Sequence, residues 1–520
     1  MARGIDAVTR TAGAGAMALA LVLLLTLGTL AAVAVRAEGV GGFGVADWAA
    51  LRFTLLQATL SAALSVVLAV PIGRAFARRR FPGRSLLVVL LGAPFILPVI
   101  VAVFGLISVF GRSGIVSQAL VALGCEPISI YGFHGVVLAH VFFNLPLATR
   151  LVLQGWLAIP AERFRLAASL GMTSRDIARH LERPMLREVV PGAFFVIFLL
   201  CLTSFAVALA LGGGPRATTI ELAIYQAFRL DFDLGKAALL ALVQFGLGAA
   251  VALVALKVAL PSGFGSGLDR AVMRWDANSP GLRALDTALI ALATLFLVLP
   301  MAMIAVDGIP ALTSLPPSVF AATLRSLGVA TASVVLSISL ALPIAAWAVK
   351  SRSRLVEAIG TLTIAASPIV IGTGLFILIF PVADPFAFAL PVTALVNAVM
   401  SLPFALRALV PALGQIEADF GRLADGLGMS GWARFRLVWL PRLRRPLGFS
   451  AGLAAALSMG DLGVIALFAS PDTPTLPLQL YRLLSAYRMD DAAGAALVLL
   501  AASLAVFWIF DRGGRVNADA

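Results

Sequence analysis

The feature that most constrains this chain is a succession of long apolar stretches separated by short polar ones. In lipid only a continuous helix satisfies its own backbone hydrogen bonds, and about twenty apolar residues are needed to cross the hydrocarbon core. Twelve segments meet this criterion, and they lie near residues 15–35, 53–74, 86–110, 133–155, 189–211, 236–258, 284–306, 323–348, 357–380, 388–409, 447–469 and 491–511. The sequence therefore predicts an all-α polytopic membrane protein with about twelve transmembrane helices.

The composition agrees with this fold class and argues against several kinds of site. Hydrophobic residues make up 61% of the chain and charged residues 12%, far from the balance of a soluble domain. The net charge of +13 comes from arginines in short runs beside apolar stretches, where they would meet anionic headgroups rather than nucleic acid. Cys125 and Cys201 form no CxxC pair. His134, His140 and His180 lack metal-ligand spacing, so neither a disulfide framework nor a metal site is indicated.

The basic residues predict the orientation of the chain. When alternate loops are assigned to the cytoplasm, beginning with the N-terminus, that side receives 30 of the 39 Lys and Arg residues. Cytoplasmic loops carry such an excess, so both termini are expected in the cytoplasm. The first segment follows Arg3 and Arg10 and could be a cleaved signal peptide, but its apolar run is long for one. A retained first helix would have a counterpart at 284–306.

The chain contains an internal repeat. Residues 165–172 (Arg-Leu-Ala-Ala-Ser-Leu-Gly-Met) match residues 422–429 (Arg-Leu-Ala-Asp-Gly-Leu-Gly-Met) at an offset of 257, and Pro184 matches Pro441 at the same offset. Chance similarity of apolar helices does not place Gly, Pro and Arg at one offset inside polar loops. We therefore divide the chain into halves at 1–262 and 263–520, each with six predicted spans. Because six is even, both halves enter the membrane in the same orientation, and the repeat is parallel.

The repeated motif lies in the two longest cytoplasmic loops, about 156–188 and 410–446. In each loop Arg-Leu-Ala-x3-Gly predicts a short helix that ends at glycine. A second short helix is expected to follow, with Ser174 as its N-cap in the first loop and a proline at its end. A single loop of this kind could be a solvated surface segment anchored to headgroups by arginine. Two matched copies on one face instead favour docking of a dimeric soluble partner.

The motif resembles the coupling loop of permease subunits of ATP-binding-cassette importers, with the pattern Glu-Ala-Ala-x3-Gly-x9-Ile-x-Leu-Pro. The positions of this chain that fall on that pattern are Arg165, Leu166, Ala167, Gly171, Leu181 and Pro184 in the first copy, and Arg422, Leu423, Ala424, Gly428, Val438 and Pro441 in the second. Arginine replaces the glutamate in both copies, and Arg183 stands where leucine is usual. The resemblance implies the type I importer permease fold, two copies of a nucleotide-binding ATPase subunit and a periplasmic substrate-binding protein.

Along its whole length the chain resembles, more narrowly, the fused permease of bacterial thiamine and thiamine-diphosphate importers. The segments that carry this resemblance are 79–84, 139–146, 211–226 and 460–464. It implies a multi-pass protein of the bacterial inner membrane that forms the translocation path for thiamine and its phosphates. The related fused ferric-iron permeases are the nearest alternative.

No ATP site is visible in the sequence. A P-loop needs Gly-x4-Gly-Lys followed by Ser or Thr, and Lys236, Lys257 and Lys350 do not supply it. We therefore expect a non-catalytic subunit that binds no cofactor, with ATP used by a partner. A secondary transporter would normally show more ionisable residues inside its spans, and a membrane enzyme would need clustered acid, base or metal-ligand residues.

Polar residues at membrane depth usually face a cavity or another helix. The candidates for a substrate path are Asn144, Ser204, Asn397 and Asp461, with Thr203 beside Ser204. If the substrate is thiamine, Asp461 could steady its cationic thiazolium, and the rings of Phe142 and Phe143 could add cation–π attraction. Asp461 could instead cap a helix break or pair with an arginine.

Overall fold

All regular secondary structure is helical in a computed structural model that describes residues 2–37, 42–92, 96–212, 214, 217–257, 279–351 and 366–515. The α-helices are α1 (Ala2–Ala37), α2 (Val45–Arg78), α3 (Arg84–Leu90), α4 (Val99–Phe110), α5 (Ile115–Ala122), α6 (Phe133–Ala158), α7 (Ala161–Ser169), α8 (Ser174–Ile177), α9 (Arg183–Leu202), α10 (Phe205–Leu211), α11 (Ile220–Arg229), α12 (Leu234–Lys257), α13 (Pro280–Ala311), α14 (Pro317–Ser351), α15 (Pro368–Ile379), α16 (Ala389–Gly426), α17 (Gly431–Arg434), α18 (Leu440–Met459), α19 (Gly463–Phe468), α20 (Leu476–Ser485) and α21 (Met489–Arg515).

Eleven helical stretches in the described residues are long and apolar enough to cross a membrane. They are α1 from Gly13, α2, α4 with α5, α6, α8 through α9, α12 to Ala255, α13 to Ser314, α14, Pro385–Gly426, Gly431–Phe468 and α21. The predicted all-helical membrane fold is confirmed. The segment predicted at 357–380 falls partly outside the described residues, and its described part, α15, is a shorter apolar helix. The count of twelve therefore stays a prediction.

Three predicted spans are interrupted. The segment predicted at 86–110 divides into α3 and α4, with Pro98 as the N-cap of α4. This proline has no N–H to continue a helix from α3. The segments predicted at 189–211 and 447–469 break at residues 203–204 and 460–462, so each ends in a separate short helix, α10 or α19. These two breaks stand at equivalent places in the chain, after α9 and after α18.

The long helices α1 and α13 each pack on helices that are distant in the sequence. Helix α1 lies against α14 and α15, and α13 lies against α2 and α4. Glycines allow the closest approaches: a Cβ added at Gly374 would lie 2.6 Å from the carbonyl oxygen of Thr29, and one added at Gly105 would lie 2.5 Å from that of Pro300. Both distances are below van der Waals contact, so the helices could not meet this way with larger residues. The two crossing helices tie together parts of the chain that are far apart in the sequence.

The buried apolar side chains form one shared core, two separate ones and a small cluster of Val334 on α14 with Ala451, Ala454 and Ala455 on α18. The shared core joins α10, α11 and α4 to α15, α19 and α20. At its centre the rings of Phe228 and Phe376 meet edge to face with centroids 4.4 Å apart, and Phe468 packs on Phe376 at 5.5 Å. A second core lies among α2, α6, α7 and α9, and a third among α1, α14, α16 and α18. The chain is therefore joined at one end and divided into two lobes at the other.

Two short helices, α11 and α20, begin in the same way at the joined end. The backbone N–H of Ile220 donates to Thr54 Oγ1 at 2.9 Å, and that of Leu476 donates to Ser326 Oγ at 2.8 Å. Each hydroxyl satisfies an N–H at the start of a helix that would otherwise lack a partner. Ile220 and Leu476, which begin the two helices, stand 256 positions apart in the sequence.

Candidate coupling segments and helix breaks

The first copy of the repeated motif forms a helix that closes at glycine. Helix α7 ends where Gly171 adopts a φ of 66°. The N–H of Met172 then bonds to the carbonyl of Ala167 at 3.0 Å, and that of Gly171 bonds to Ala168 at 3.0 Å. These two bonds satisfy carbonyls at the helix C-terminus, and the positive φ costs glycine little. The predicted helix end is confirmed.

The second copy closes in the same way. Gly428 has a φ of 65°, and the N–H of Met429 bonds to the carbonyl of Ala424 at 2.9 Å. The helix that ends here is not short, however, because α16 runs unbroken from Ala389 to Gly426. In the first copy Pro160 separates α6 from α7, and the position 257 residues later holds Glu417. Proline removes a helix hydrogen bond and glutamate does not, which explains the difference.

Two details predicted for the second helix of the motif are wrong. The N-cap is Thr173 rather than Ser174, because Thr173 Oγ1 accepts from the N–H of Asp176 while the Asp176 carboxylate accepts from the N–H of Thr173. The helix also does not end at proline. A π-helical turn, Ala178–Glu182, joins α8 to α9, so Pro184 lies at the start of α9, where its missing N–H is tolerated. The second copy has the same turn at Phe435–Trp439.

Each motif buries its alanine and exposes its leucines. Ala167 and Ala424 are buried, at 3% and 2% exposed. On the other side of the same helical turn Leu166 and Leu423 are 60% and 61% exposed. Arg165 and Arg422 are exposed beside them, as are Leu170 and Leu427 one turn on. The second copy adds Trp432, which is 71% exposed. Each lobe thus carries an apolar knob flanked by arginine at its free end.

Two carboxylates, the buried Glu182 and the half-buried Glu417, fix the two motifs to their lobes by different contacts. In the first copy Glu182 binds Arg74 of α2 through both oxygens, at 2.7 and 3.1 Å. In the second copy Glu417 accepts from Arg434 at 2.5 and 3.1 Å. Its Oε1 also accepts from Trp439 Nε1 at 2.6 Å. Two-oxygen pairs of this kind set both the position and the angle of the partner.

The break after α9 is surrounded by polar side chains that the sequence analysis did not select. Because α9 stops at Leu202, its last carbonyls lack intrahelical partners. Gln57 donates to the carbonyl of Cys201 at 3.0 Å, and Gln244 donates to that of Leu202 at 2.9 Å. The Gln244 amide also donates to Glu221 at 3.0 Å. A glutamine inside an apolar span, as at 57 and 244, was the signal that could have revealed this network.

Glu221 is a fully buried carboxyl on α11, outside the eleven spans. Burial raises its pKa to about 8, although hydrogen bonds from Ser367 and Gln244 act in the opposite direction. Ser367 is the N-cap of α15. The carboxyl therefore lies at the contact between α11 and the start of α15, where burial favours its protonated form.

The break after α18 holds two of the predicted path residues. Asn397 donates to Ser458 Oγ at 3.1 Å, and that hydroxyl lies 3.0 Å from Ser333 Oγ. Asp461 Oδ1 accepts from the N–H of Gly463 at 3.2 Å, so this carboxylate does cap a helix break, the alternative reading of its sequence position. Its side chain is half-buried, and the Asn397 amide lies beside it. Three helices thus meet at this break through polar contacts.

The other two path candidates lie at the first break. Ser204 is the half-buried residue between α9 and α10, and it stands 257 positions before Asp461. Asn144 is buried, and its amide donates to the carbonyl of His140 at 2.8 Å and to Cys201 Sγ at 3.4 Å. The ring of Phe142 is fully buried against Phe143 and Phe296, so it serves packing and its face is not open to a cation.

At the joined end, α11 and α20 each carry a tyrosine and an arginine. Arg229 donates to the carbonyl of Ala469 at 2.9 Å and lies over the ring of Phe386. Arg482 donates to the carbonyls of the next two residues, 470 and 471, at 3.2 and 2.9 Å. Burial and the nearby Tyr481 raise the pKa of Tyr225. One loop, 469–471, is therefore held by arginines from both α11 and α20.

Known proteins resemble the chain over nearly its full length. It is 40% identical over 509 residues to the thiamine transport system permease protein ThiP of Brucella abortus (strain 2308), covering 95% of this chain and 93% of the relative. It is 41% identical over 489 residues to the protein of that name from Escherichia coli (strain K12), covering 91% and 90%. For the Haemophilus influenzae protein the identity is 34% over 466 residues, covering 86% of each. No family model matches the chain.

Proposed function

Because the chain belongs to the family of thiamine transport system permease proteins, we propose that it forms the path for thiamine and thiamine phosphates in an ATP-driven importer. The observation that carries this proposal is an identity of about 40% over 95% of the chain. Subunits of this family are non-catalytic membrane components. The chain accordingly binds no cofactor, and a separate ATPase supplies the energy.

The knobs at the free ends of the two lobes are the docking sites for two ATPase subunits. Leu166 and Leu423 are exposed to the same extent, and each is backed by a buried alanine that packs on its own lobe. A pair of matched knobs suits a partner that is itself a dimer. The arginines at 165 and 422 would meet carboxylates or carbonyls of the ATPase, since they cannot make the contacts of the usual motif glutamate.

The halves 1–262 and 263–520 are related by a pseudo-twofold axis along the membrane normal. Several paired features support this relation: the helix-start N–H bonds accepted by Thr54 and Ser326, the breaks after α9 and α18, and the π-turns after α8 and α17. In this arrangement the coupling motifs and both termini lie in the cytoplasm, and α11 and α20 lie on the periplasmic side. A periplasmic binding protein would deliver substrate there.

The arrangement of the cores supports an alternating-access mechanism. The elements around Phe228 and Phe376 are packed together at the periplasmic end, whereas the coupling motifs belong to separate lobes. ATP binding would draw the two ATPase subunits, and hence the lobes, together. The packing at α11 and α20 would then open toward the periplasm. The arginine contacts to loop 469–471 would have to release at this step.

The substrate passes the two helix breaks. Broken helices in transporters present backbone and polar groups to a substrate. Asn144 and Ser204 lie at the first break, and Asn397 and Asp461 lie at the second. Asp461 is the carboxylate that would balance the cationic thiazolium. Its Asn variant should lower thiamine uptake while leaving ATPase docking intact, and normal uptake by that variant would exclude the role.

The function is tested by uptake of labelled thiamine in cells that lack their own thiamine importer. The chain is supplied with its ATPase and binding protein, and the matched control is the ATPase with its Walker lysine replaced. Accumulation that depends on this lysine supports both the importer class and the substrate. Entry of ferric iron without thiamine would reject the substrate. Uptake that ignores the lysine would reject the importer mechanism.

A further inference from the structure

A cleft of about 900 Å³ lies between the α2–α3 corner and α13. Among the described residues that line it, four are arginines and none is acidic; the arginines are Arg78, Arg79, Arg80 and Arg283. Arg80 and Arg283 are exposed. The cleft is at the same end of α2 as the basic corner that the charge distribution assigns to the cytoplasm. Its chemistry is that of an anion site at a membrane surface.

One buried carboxylate organises the floor of the cleft. Asp286 is fully buried and binds Arg78 at 2.6 Å and Arg79 at 2.7 Å. Two guanidinium groups are thus held on a single carboxylate. They are oriented by contacts that belong to the protein and so remain in place when nothing else binds.

The wall formed by α13 changes from basic to apolar along one helical stripe. Arg283 is followed on the same face by Thr287, Ile290, Thr294 and Val298. Fifteen residues of helix span about 22 Å, which exceeds the roughly 15 Å thickness of one hydrocarbon leaflet. Leu87 of α3 forms the opposite apolar wall. A soluble phosphate would use only the basic end, whereas a phospholipid would use the whole stripe.

From this combination we infer that the cleft binds an anionic phospholipid, with its phosphate at the arginines and an acyl chain along α13. In the other lobe the helices α1 and α14 touch, since a Cβ added at Gly15 would lie 2.4 Å from Trp347 Cβ. Gly15 precedes Asp286 by 271 positions. The inference concerns the one cleft on the α13 side.

The inference is tested by native mass spectrometry of the purified full-length chain in detergent. Phosphatidylglycerol and phosphatidylcholine with the same acyl chains are titrated separately. The test variant combines Arg80→Gln and Arg283→Gln, which remove exposed side chains and leave the Asp286 contacts intact. The matched control combines Arg187→Gln and Arg444→Gln, which remove equal charge from exposed arginines elsewhere. Thermal unfolding of each variant checks that the fold is kept.

The expected result is one tightly held phosphatidylglycerol per chain, with affinity roughly thirtyfold lower in the test variant and unchanged in the control. Glycerol phosphate, the soluble headgroup, should not displace it. Four outcomes would overturn the inference: equal retention of phosphatidylcholine, equal affinity in the test variant, equal loss in the control, or displacement by glycerol phosphate. A wild-type chain that retains no lipid would also overturn it, because the cleft would then be filled by the chain itself.

Discussion

Replacing Glu417 with glutamine should loosen the second coupling motif selectively. Glu417 accepts two hydrogen bonds from Arg434 and one from Trp439. Glutamine keeps one acceptor oxygen but places an amide NH2 against the guanidinium. The loss of one charge-assisted bond from a mostly buried pair costs about 2 kcal/mol. Since 1.36 kcal/mol is a factor of ten, the local opening equilibrium should rise roughly thirtyfold.

Hydrogen exchange of the backbone amides in residues 431–439 measures this opening directly. The first motif, residues 174–182, provides an internal reference in the same sample. Asp419→Asn is the matched control, because Asp419 lies on the same helix and accepts from the exposed Gln415 at 3.1 Å. The reasoning is refuted if protection of 431–439 is unchanged in Glu417→Gln, or if the control variant loses as much protection.

Three further perturbations have defined outcomes. The pKa of Glu221 is raised to about 8 in the folded chain, whereas the unfolded chain releases this proton near pH 4.5. The free energy of unfolding should therefore fall as the pH rises from about 4.5 through 8. Glu221→Gln should flatten this slope in thermal unfolding, and parallel slopes would contradict the assignment. Asp286→Asn should lower the free energy of unfolding by about 3–5 kcal/mol, because two guanidinium groups lose their buried carboxylate; mixed-micelle denaturation measures the change. Phe232 has a φ of 54°, so Phe232→Gly should raise stability by about 1 kcal/mol, and a lower melting temperature would show that the ring makes a contact worth more than the strain.

The helical membrane fold could be predicted because its physical cause is local. Each span must satisfy its own backbone in lipid, and the apolar residues that achieve this are contiguous in the sequence. The ends of the coupling helices at Gly171 and Gly428 could be predicted equally well, because a positive φ and the Schellman bonds involve only neighbouring residues. The continuation of α9 through Pro184 was not predicted. The π-turn that permits it has no signature in the local sequence.

The helix breaks were only half predictable. Asn397 and Asp461 stand out as polar residues in apolar surroundings, and both lie at the second break. Phe142 was named as a possible cation–π face, yet its ring packs on Phe296 of α13, which is far away in the sequence. Gln57 and Gln244 could have been selected by the same polarity criterion. Their convergence on the end of α9 depends on long-range packing that no local pattern records.

The crossing of the first helices affects how the protein is made. Thr29 of α1 meets Gly374 of α15, 345 positions later in the chain. At a ribosomal rate of 5–20 residues per second, α1 must wait roughly 17 to 69 s in the bilayer before this partner is synthesised. During that interval its Thr26 and Thr29 hydroxyls are bonded to carbonyls one turn back, so neither hydroxyl is left open to lipid. A newly inserted first helix can therefore persist alone until α15 is synthesised, and segments 1–262 and 263–520 translated separately should be able to associate through this contact.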